Sequence, residues 1–357
     1  MVCLALWLAT GAAAADDRYY YYDPDGVGAH AFYNPWNFIV QGGLGALYDT
    51  PMDSFDWSGG FATLNKSLGS PLDAIHEYGW GRFIYREFTP HPGAGQNYVP
   101  NWVWHFTGGG MRTKLMEEYY RHLGLDEWPA RIAGWASLYS MHYLNEAVQA
   151  ARFEGHRRTT IDPLSDMYFF DWTGALMFQF DAVNRFMSRR LHQREWSYQA
   201  QYDPLARRLL NNGQLYWMRV GLYGPVSLSF LTGEQITSLN LTYSWDDVHQ
   251  ISVGAGPKSK AFIARNNGDT DASGIVWSAG VYYSVNDNPF VVFTYEPSER
   301  HGGERHPGQA KYMVNCYPGL LRVFDQPAGM SLSYQLEAFF VGFAMGPLPM
   351  GMVLGTR

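Results

Sequence analysis

Ile236-Thr237-Ser238-Leu239-Asn240-Leu241-Thr242-Tyr243-Ser244-Trp245 decides how the second half of this chain folds. Successive residues of an extended strand point to opposite sides. Leu239, Leu241, Tyr243 and Trp245 therefore share one face, and Ser238, Asn240, Thr242 and Ser244 share the other. The pattern returns in Ile275-Val276-Trp277-Ser278-Ala279-Gly280-Val281-Tyr282-Tyr283. It returns again in Ser331–Phe340, where Leu332, Tyr334, Leu336 and Phe340 oppose Ser331, Ser333, Gln335 and Glu337. Asn286-Asp287-Asn288 separates two such runs and reads as a hairpin turn. From Gln214 onward this template predicts roughly nine to eleven antiparallel strands.

One apolar face and one small polar face fit an outer-membrane barrel with a polar interior. They fit equally a soluble sandwich or a lipocalin-like barrel with its apolar face inward, which would hold an apolar ligand. Alternation alone does not separate these. Composition leans to the membrane: apolar residues make up 46% and aromatic ones 17%, while charged ones make up only 17%. A quarter charged is usual. No stretch reaches the roughly 18 uninterrupted apolar residues of a membrane-spanning helix.

Ahead of the strands, up to about Gln199, apolar residues recur at helical spacing. Helices are expected over Pro71–Phe88, Trp102–Leu123, Asp126–Phe153 and Asp162–His192. Thr89–Pro100, with three prolines, interrupts the first two. Asp162 before Pro163 reads as an N-cap with proline in the first helical position. Phe38–Tyr48, with its glycines, is expected as a loop or as a strand joining the barrel. Val2–Ala15 ends in four alanines before Asp16-Asp17 and reads as an export leader. Its removal takes Cys3 and leaves Cys316 alone, so an internal disulfide is not expected.

The expected architecture is α+β. An N-terminal helical segment of about four helices packs on, or plugs, a C-terminal antiparallel β-barrel or barrel-like sheet. The divisions are residues 1–15 (leader), 16–70 (rich in Gly, Pro and aromatics), 71–199 (helical) and 212–357 (β). The formal charge of −7 argues against a nucleic-acid partner and leaves envelope lipid as the expected contact. The basic runs Arg152–Arg158 and Arg185–Arg194 lie near helix ends, where cations offset the helix dipole.

Candidate chemistry is concentrated on the helices. His142 and Glu146 stand four apart on one helix face, and Asp162 and Asp166 repeat that spacing on the next helix. With His105 they form a set that converges either as metal ligands or as a carboxylate pair with a general base. The competing reading is structural: Asp162 as a cap, Asp166 near a helix N-terminus, Glu146 hydrogen-bonded between helices. No HExxH, P-loop or G-x-S-x-G motif is present, and the pattern names no cofactor. Gly108-Gly109-Gly110, Gly134, Gly174 and Ala175 instead suggest close helix packing.

His105-Phe106-Thr107-Gly108-Gly109, Asn145-Glu146, Asp162-Pro163-Leu164-Ser165-Asp166 and Gly174-Ala175 resemble a pattern of bacterial envelope proteins. There an acidic helix precedes a D-x-x-x-D and a glycine-containing helix. The segment 102–178 is similar to VanZ-like proteins and to periplasmic and outer-membrane domains of unknown function. The resemblance implies an envelope location and no particular chemistry. The leading expectation is a non-enzymatic outer-membrane or periplasmic protein. The alternatives are a membrane-associated hydrolase or transferase using His105, His142, Glu146, Asp162 and Asp166, and an apolar-ligand-binding barrel.

Overall fold

The computed structural model describes residues 19–24, 27–47, 51–89, 102–152, 161–233, 236–259, 262–264, 270–272, 275–297, 312–335, 338–346 and 348–356. The expected leader, most of the proline-rich breaker and most of the Arg152–Arg158 run lie outside them. The chain is helical ahead of the sheet. Its helices are α1 (Pro35–Gly43), α2 (Trp57–Gly69), α3 (Pro71–Tyr78), α4 (Trp80–Phe88), α5 (Gly110–His122), α6 (Glu127–Arg152), α7 (Asp162–Ser165), α8 (Asp171–Met177) and α9 (Asp181–Arg185). Single π-helical stretches, Trp104–Gly109 and Asp166–Phe170, lead into α5 and join α7 to α8.

Local chemistry explains where these helices depart from the sequence reading. Phe38–Tyr48 does not join the barrel: its first part lies in α1. The Asn34 side chain accepts from the Asn37 N–H and Pro35 opens the first turn, so the cap outweighs the glycines. The helix expected over 71–88 breaks at Gly79, whose φ of 101° lies in a region that favours glycine. Asp162 is the first residue of α7 rather than its cap, a position taken by Ile161. The helix expected to reach His192 is interrupted after α8, where Asn184 Nδ2 donates to the Phe178 carbonyl at 2.8 Å.

The strands are β1 (Arg194–Glu195), β2 (Gln201–Asp203), β3 (Arg208–Leu210), β4 (Leu215–Tyr223), β5 (Val226–Gly233), β6 (Thr237–Ser244), β7 (His249–Ser259), β8 (Phe262–Ala264), β9 (Thr270–Ala272), β10 (Ile275–Val285), β11 (Asn288–Tyr295), β12 (Tyr312–Val323), β13 (Gln326–Gln335), β14 (Ala338–Met345) and β15 (Gly351–Gly355). All but β8 and β9 form one 13-stranded sheet, in the order β1-β4-β5-β6-β7-β10-β11-β12-β13-β14-β15-β2-β3. From β4 to β15 it is an antiparallel meander, as expected. Asn286 and Asp287, both at positive φ, turn the β10–β11 hairpin where the sequence placed it.

Two details correct the expected closed antiparallel barrel. The ladder does not close, and β15 pairs with β2 in parallel. The backbone between β1 and β2 bonds to strands on both sides. Trp196 N donates to the Leu215 carbonyl at 3.0 Å on one side, and Ala200 accepts from Gly351 N at 2.7 Å on the other. Strands of two or three residues are too short to carry a readable alternation, which is why β1 to β3 were not anticipated.

The exposure of the sheet is inverted relative to a soluble protein. In β6, Leu239, Leu241 and Tyr243 are exposed, while Ser238, Asn240 and Thr242 are buried; Leu241 is 57% exposed and Thr242 0%. Trp277, Val281, Val253, Phe293, Phe339, Val341, Phe343, Met352 and Leu354 likewise point outward. The buried face carries Ser229, Ser252, Ser278, Ser284, Asn315 and Ser331. Several of them bond to polar neighbours on the same face. Ser229 and Thr242 hydroxyls lie 2.5 Å apart, Thr242 and Ser252 2.7 Å apart, and Ser284 donates to Gln250 at 2.9 Å.

Part of the interior is aromatic. Trp196 stacks on Trp217 with ring centroids 4.2 Å apart, beside Tyr282, Tyr317 and Val292. Ala29, in a single 3-10 stretch over Gly28–Phe32, packs into this cluster, so the N-terminal part contributes to filling the sheet. A second core, with Phe38, Met111, Leu115, Leu138, Met141 and Phe178, lies between helices and reaches Tyr216 on the other face of β4. One buried ion pair ties the helical layer to the sheet, and one buried carboxyl gathers the N-terminal segment onto α5. Arg112 Nε donates to Glu195 Oε2 of β1 at 2.8 Å. Glu118 accepts from the backbone N–H groups of Tyr20, Tyr21 and Tyr22 at 3.0, 2.9 and 3.0 Å.

Candidate functional site

Four helical segments bring a buried set of imidazoles and carboxylates together. His105 comes from the π-helical stretch before α5, His142 and Glu146 from one face of α6, Asp166 and Asp171 from the two ends of the stretch joining α7 to α8, and Glu87 from the end of α4. A π-helical turn bonds residue i to i+5 rather than i+4. Asp166 and Asp171 are five apart, so that turn puts both carboxylates on the side facing α5 and α6. Gly174 lets the segments approach: a Cβ there would sit 2.4 Å from the His105 carbonyl oxygen.

Asp171 is the centre. Its Oδ1 lies 2.6 Å from His105 Nδ1, and its Oδ2 accepts from His142 Nδ1. The second nitrogen of His105, Nε2, faces Asp166 Oδ2 at 3.5 Å. The imidazole centroids are 5.0 Å apart. Gln149 Nε2 donates to Glu146 Oε1 at 3.3 Å, and Ser165 Oγ donates to Glu87 Oε2 at 3.3 Å. Trp104 and Phe170 pack against His105, and Phe106 and Phe88 pack against Phe170. His142 is the member nearest solvent, with its side chain 12% exposed against 0% for Asp171.

Electrostatics separates the roles of these groups. Burial opposes ionisation of Asp171, but the His142 and His105 imidazoles outweigh it and bring the carboxyl down to about 2. Asp171 is therefore a carboxylate that accepts from both rings. Burial also works against protonation of His105, but Asp166 and Asp171 outweigh it and hold the imidazolium well above the ordinary histidine range. Glu146 goes the other way. Burial, then repulsion from Asp166, raises its pKa well above that of an ordinary carboxylic acid, with His105 opposing. The site thus joins a firmly ionised acceptor, an imidazolium and a neutral carboxylic acid. Such a set can pass a proton between Glu146, Asp166 and His105, or hold a cation at the His105–Asp171–His142 junction.

The structure brings together four of the five residues singled out from sequence: His105, His142, Glu146 and Asp166. Asp162 is at the start of α7, where its carbonyl accepts from Ser165 Oγ at 2.8 Å. Asp171 and Glu87 complete the site and lie outside the set that helical spacing selects. Glu87 lies far along the chain, beyond the proline-rich breaker, where no local spacing points to it. The close packing expected around the small residues is present at Gly174 and at Gly134, whose added Cβ would meet the Thr113 carbonyl at 3.0 Å. Comparison with protein-family models, with curated proteins and with solved structures finds no match.

Proposed function

We propose that this chain is an envelope protein whose sheet lies in an outer membrane, with its apolar face against lipid and its helical layer carrying a buried polar centre. The observation that carries this reading is the inverted exposure of the strands. A soluble sheet that left Leu239, Leu241, Val253, Trp277, Val341 and Phe343 in water while burying serines would forgo most of its hydrophobic stabilisation. Hydrocarbon removes that objection, and strand pairing satisfies most of the backbone internally, with Trp196 N and the Ala200 carbonyl continuing the hydrogen bonding beyond β1 and before β2. Aromatic rings supply further support. Tyr295 and Tyr312 stand 5.1 Å apart and Tyr334 and Phe339 5.0 Å apart across neighbouring strands. Trp245, His249 and Tyr283 stack at the opposite strand ends. Such rings sit at the two membrane–water boundaries of outer-membrane barrels. No helix among the described residues is long and apolar enough to cross a membrane, so strands would make the crossing.

The interior is filled by hydroxyls and by the Trp196–Trp217 cluster, which favours a structural or binding role over a wide pore. The test is refolding into phosphatidylcholine vesicles. The reading predicts a folded form that floats with the vesicles, resists alkaline carbonate extraction and migrates differently on gels before and after heating. A protein that folds in buffer alone and does not float would overturn it. A second reading, a hydrolase or transferase acting on lipid or envelope polymer, is favoured by the His105–Asp171–His142 junction beside the neutral acid Glu146. It predicts that His142→Gln abolishes turnover of envelope lipid while leaving flotation unchanged; a wild-type protein inert towards lipid and envelope polymer would remove it.

A further inference from the structure

We infer that the His105–Asp171–His142 junction is a binding site for one divalent first-row transition ion, with zinc the first candidate. One nitrogen from each imidazole and one Asp171 oxygen already lie within 4.8 Å of one another. Zinc holds nitrogen and oxygen ligands at about 2.0–2.2 Å, so two donors on one ion stand no more than roughly 4.3 Å apart. Small ring rotations complete the set, with the His105–Asp171 contact opening to about the 3.3 Å edge of a tetrahedron and the protons on the two Nδ1 atoms released to solvent as the ion enters.

Three further observations point to a cation. The donors are rigidly held: they come from separate helical segments packed at the Gly174 contact, and Asp171 is fully buried. The far nitrogen of His105 faces Asp166, the carboxylate-behind-histidine arrangement that orients metal-bound imidazoles. The cluster is also rich in acid. Glu87, Glu146, Asp166 and Asp171 are all buried around two imidazoles, so even with Glu146 neutral and both rings charged one carboxylate is left in excess for a divalent ion to offset. Glu146, one turn along α6 from His142, is placed to supply a fourth ligand or to hold a metal-bound water.

The chemistry of the donors selects the ion. Calcium and magnesium take oxygen ligands, and copper(I) favours sulfur. Two imidazoles with one to three carboxylates suit zinc, iron(II), cobalt(II) or manganese(II). The inference does not depend on lipid embedding. It deepens the second functional reading without requiring turnover, and the experiment reads metal alone.

The full chain, folded in detergent and stripped with a chelator, is titrated with Zn²⁺ and, separately, with Co²⁺. The expected result is one ion per chain and the intense visible bands of four- or five-coordinate cobalt. His142→Gln and Asp171→Asn should each weaken binding by about a hundredfold or more, and Asp166→Asn by roughly 10–100-fold as an outer-shell change. His142 is partly exposed, so its variant should keep the heat-modifiable gel shift of the wild type. A folded wild type that takes up no stoichiometric ion overturns the inference, whatever the variants do. So does equal uptake by the wild type and His142→Gln. Ion binding without any hydrolysis would keep the metal site and remove only the enzymatic reading.

Discussion

The sheet and the helical layer both bury polar groups, and they do so by opposite means. Across β5 to β7 the buried groups are neutral and mostly short, and the sheet's charged pairs, Arg219–Asp287 and Lys258–Glu296, involve other strands or the end of β7. Ser229, Thr242 and Ser252 satisfy one another across adjacent strands, because antiparallel pairing places their side chains side by side. In the helical layer the buried groups are charged and long. Arg112 reaches Glu195, and His105, His142, Asp166 and Asp171 form a chain of ionic contacts. A hydroxyl ladder adds little per member and tolerates loss. A buried ion depends on its partner, since an unpaired charge in an apolar surround costs several times more than a lost neutral bond. The comparison implies that the hydroxyl-lined face of β5 to β7 tolerates single polar losses and that the buried ions of the helical layer do not.

The most severe test is Arg112→Met. It strands Glu195 with a buried carboxylate and should cost about 3–5 kcal/mol, enough to detach the helical layer from β1. The measurement is chemical unfolding in detergent. A loss of 1 kcal/mol or less would show that the ion pair is not needed and would erase the contrast.

Next in size is Leu241→Arg on the outward face. If that face meets hydrocarbon, the change should cost about 2–4 kcal/mol of folding into bilayers. In a water-exposed sheet the same change would fall within about 0.5 kcal/mol. Refolding titrations into phosphatidylcholine vesicles separate the two.

The helical cluster should also give the protein an unusual pH dependence. His105 and Glu146 both have pKa values raised by folding, so the stability they contribute is present below their unfolded values, near 6.5 and 4.5, and is lost as pH rises through the folded values. Asp171 is depressed to about 2, so its contribution is present above its unfolded value and is lost only in strong acid. Tm in chelator should therefore fall from about pH 5 to about pH 8. Glu146→Gln should flatten that slope. A wild-type Tm that rises across this window would contradict the assignment.

The smallest expected effect is Ser229→Ala in the hydroxyl ladder, a loss of about 1 kcal/mol. Equal costs for Ser229→Ala and Arg112→Met would mean that the two regions do not differ in the way described.

Much of this was legible in the chain, and the rest was hidden for physical reasons. The alternation of Leu239–Tyr243 with Ser238–Thr242 is enough to predict antiparallel strands and their hairpins. It is symmetric, however, and does not say which face turns inward; that depends on what packs against the sheet. The shared face of His142 and Glu146 follows from helical period alone. Asp171 was obscured because it lies five residues from Asp166, a spacing that ordinary helix geometry sends to different faces and a π-helical turn restores. Phe38–Tyr48 misled because its glycines suggested a strand, while the deciding signal was Asn34-Pro35 just before it.

The central claim, that the apolar face of the sheet meets lipid, is tested most directly by a nitroxide scan along β6. Labelled cysteines would replace Leu239, Asn240, Leu241, Thr242 and Tyr243 one at a time in a Cys3→Ser, Cys316→Ser background, in vesicles. The account predicts an accessibility with period two: labels at Leu239, Leu241 and Tyr243 collide with oxygen, which concentrates in hydrocarbon, and hardly with a water-soluble nickel chelate. Labels at Asn240 and Thr242 should be shielded from both. High collision with the nickel chelate at Leu239, Leu241 and Tyr243 would contradict it.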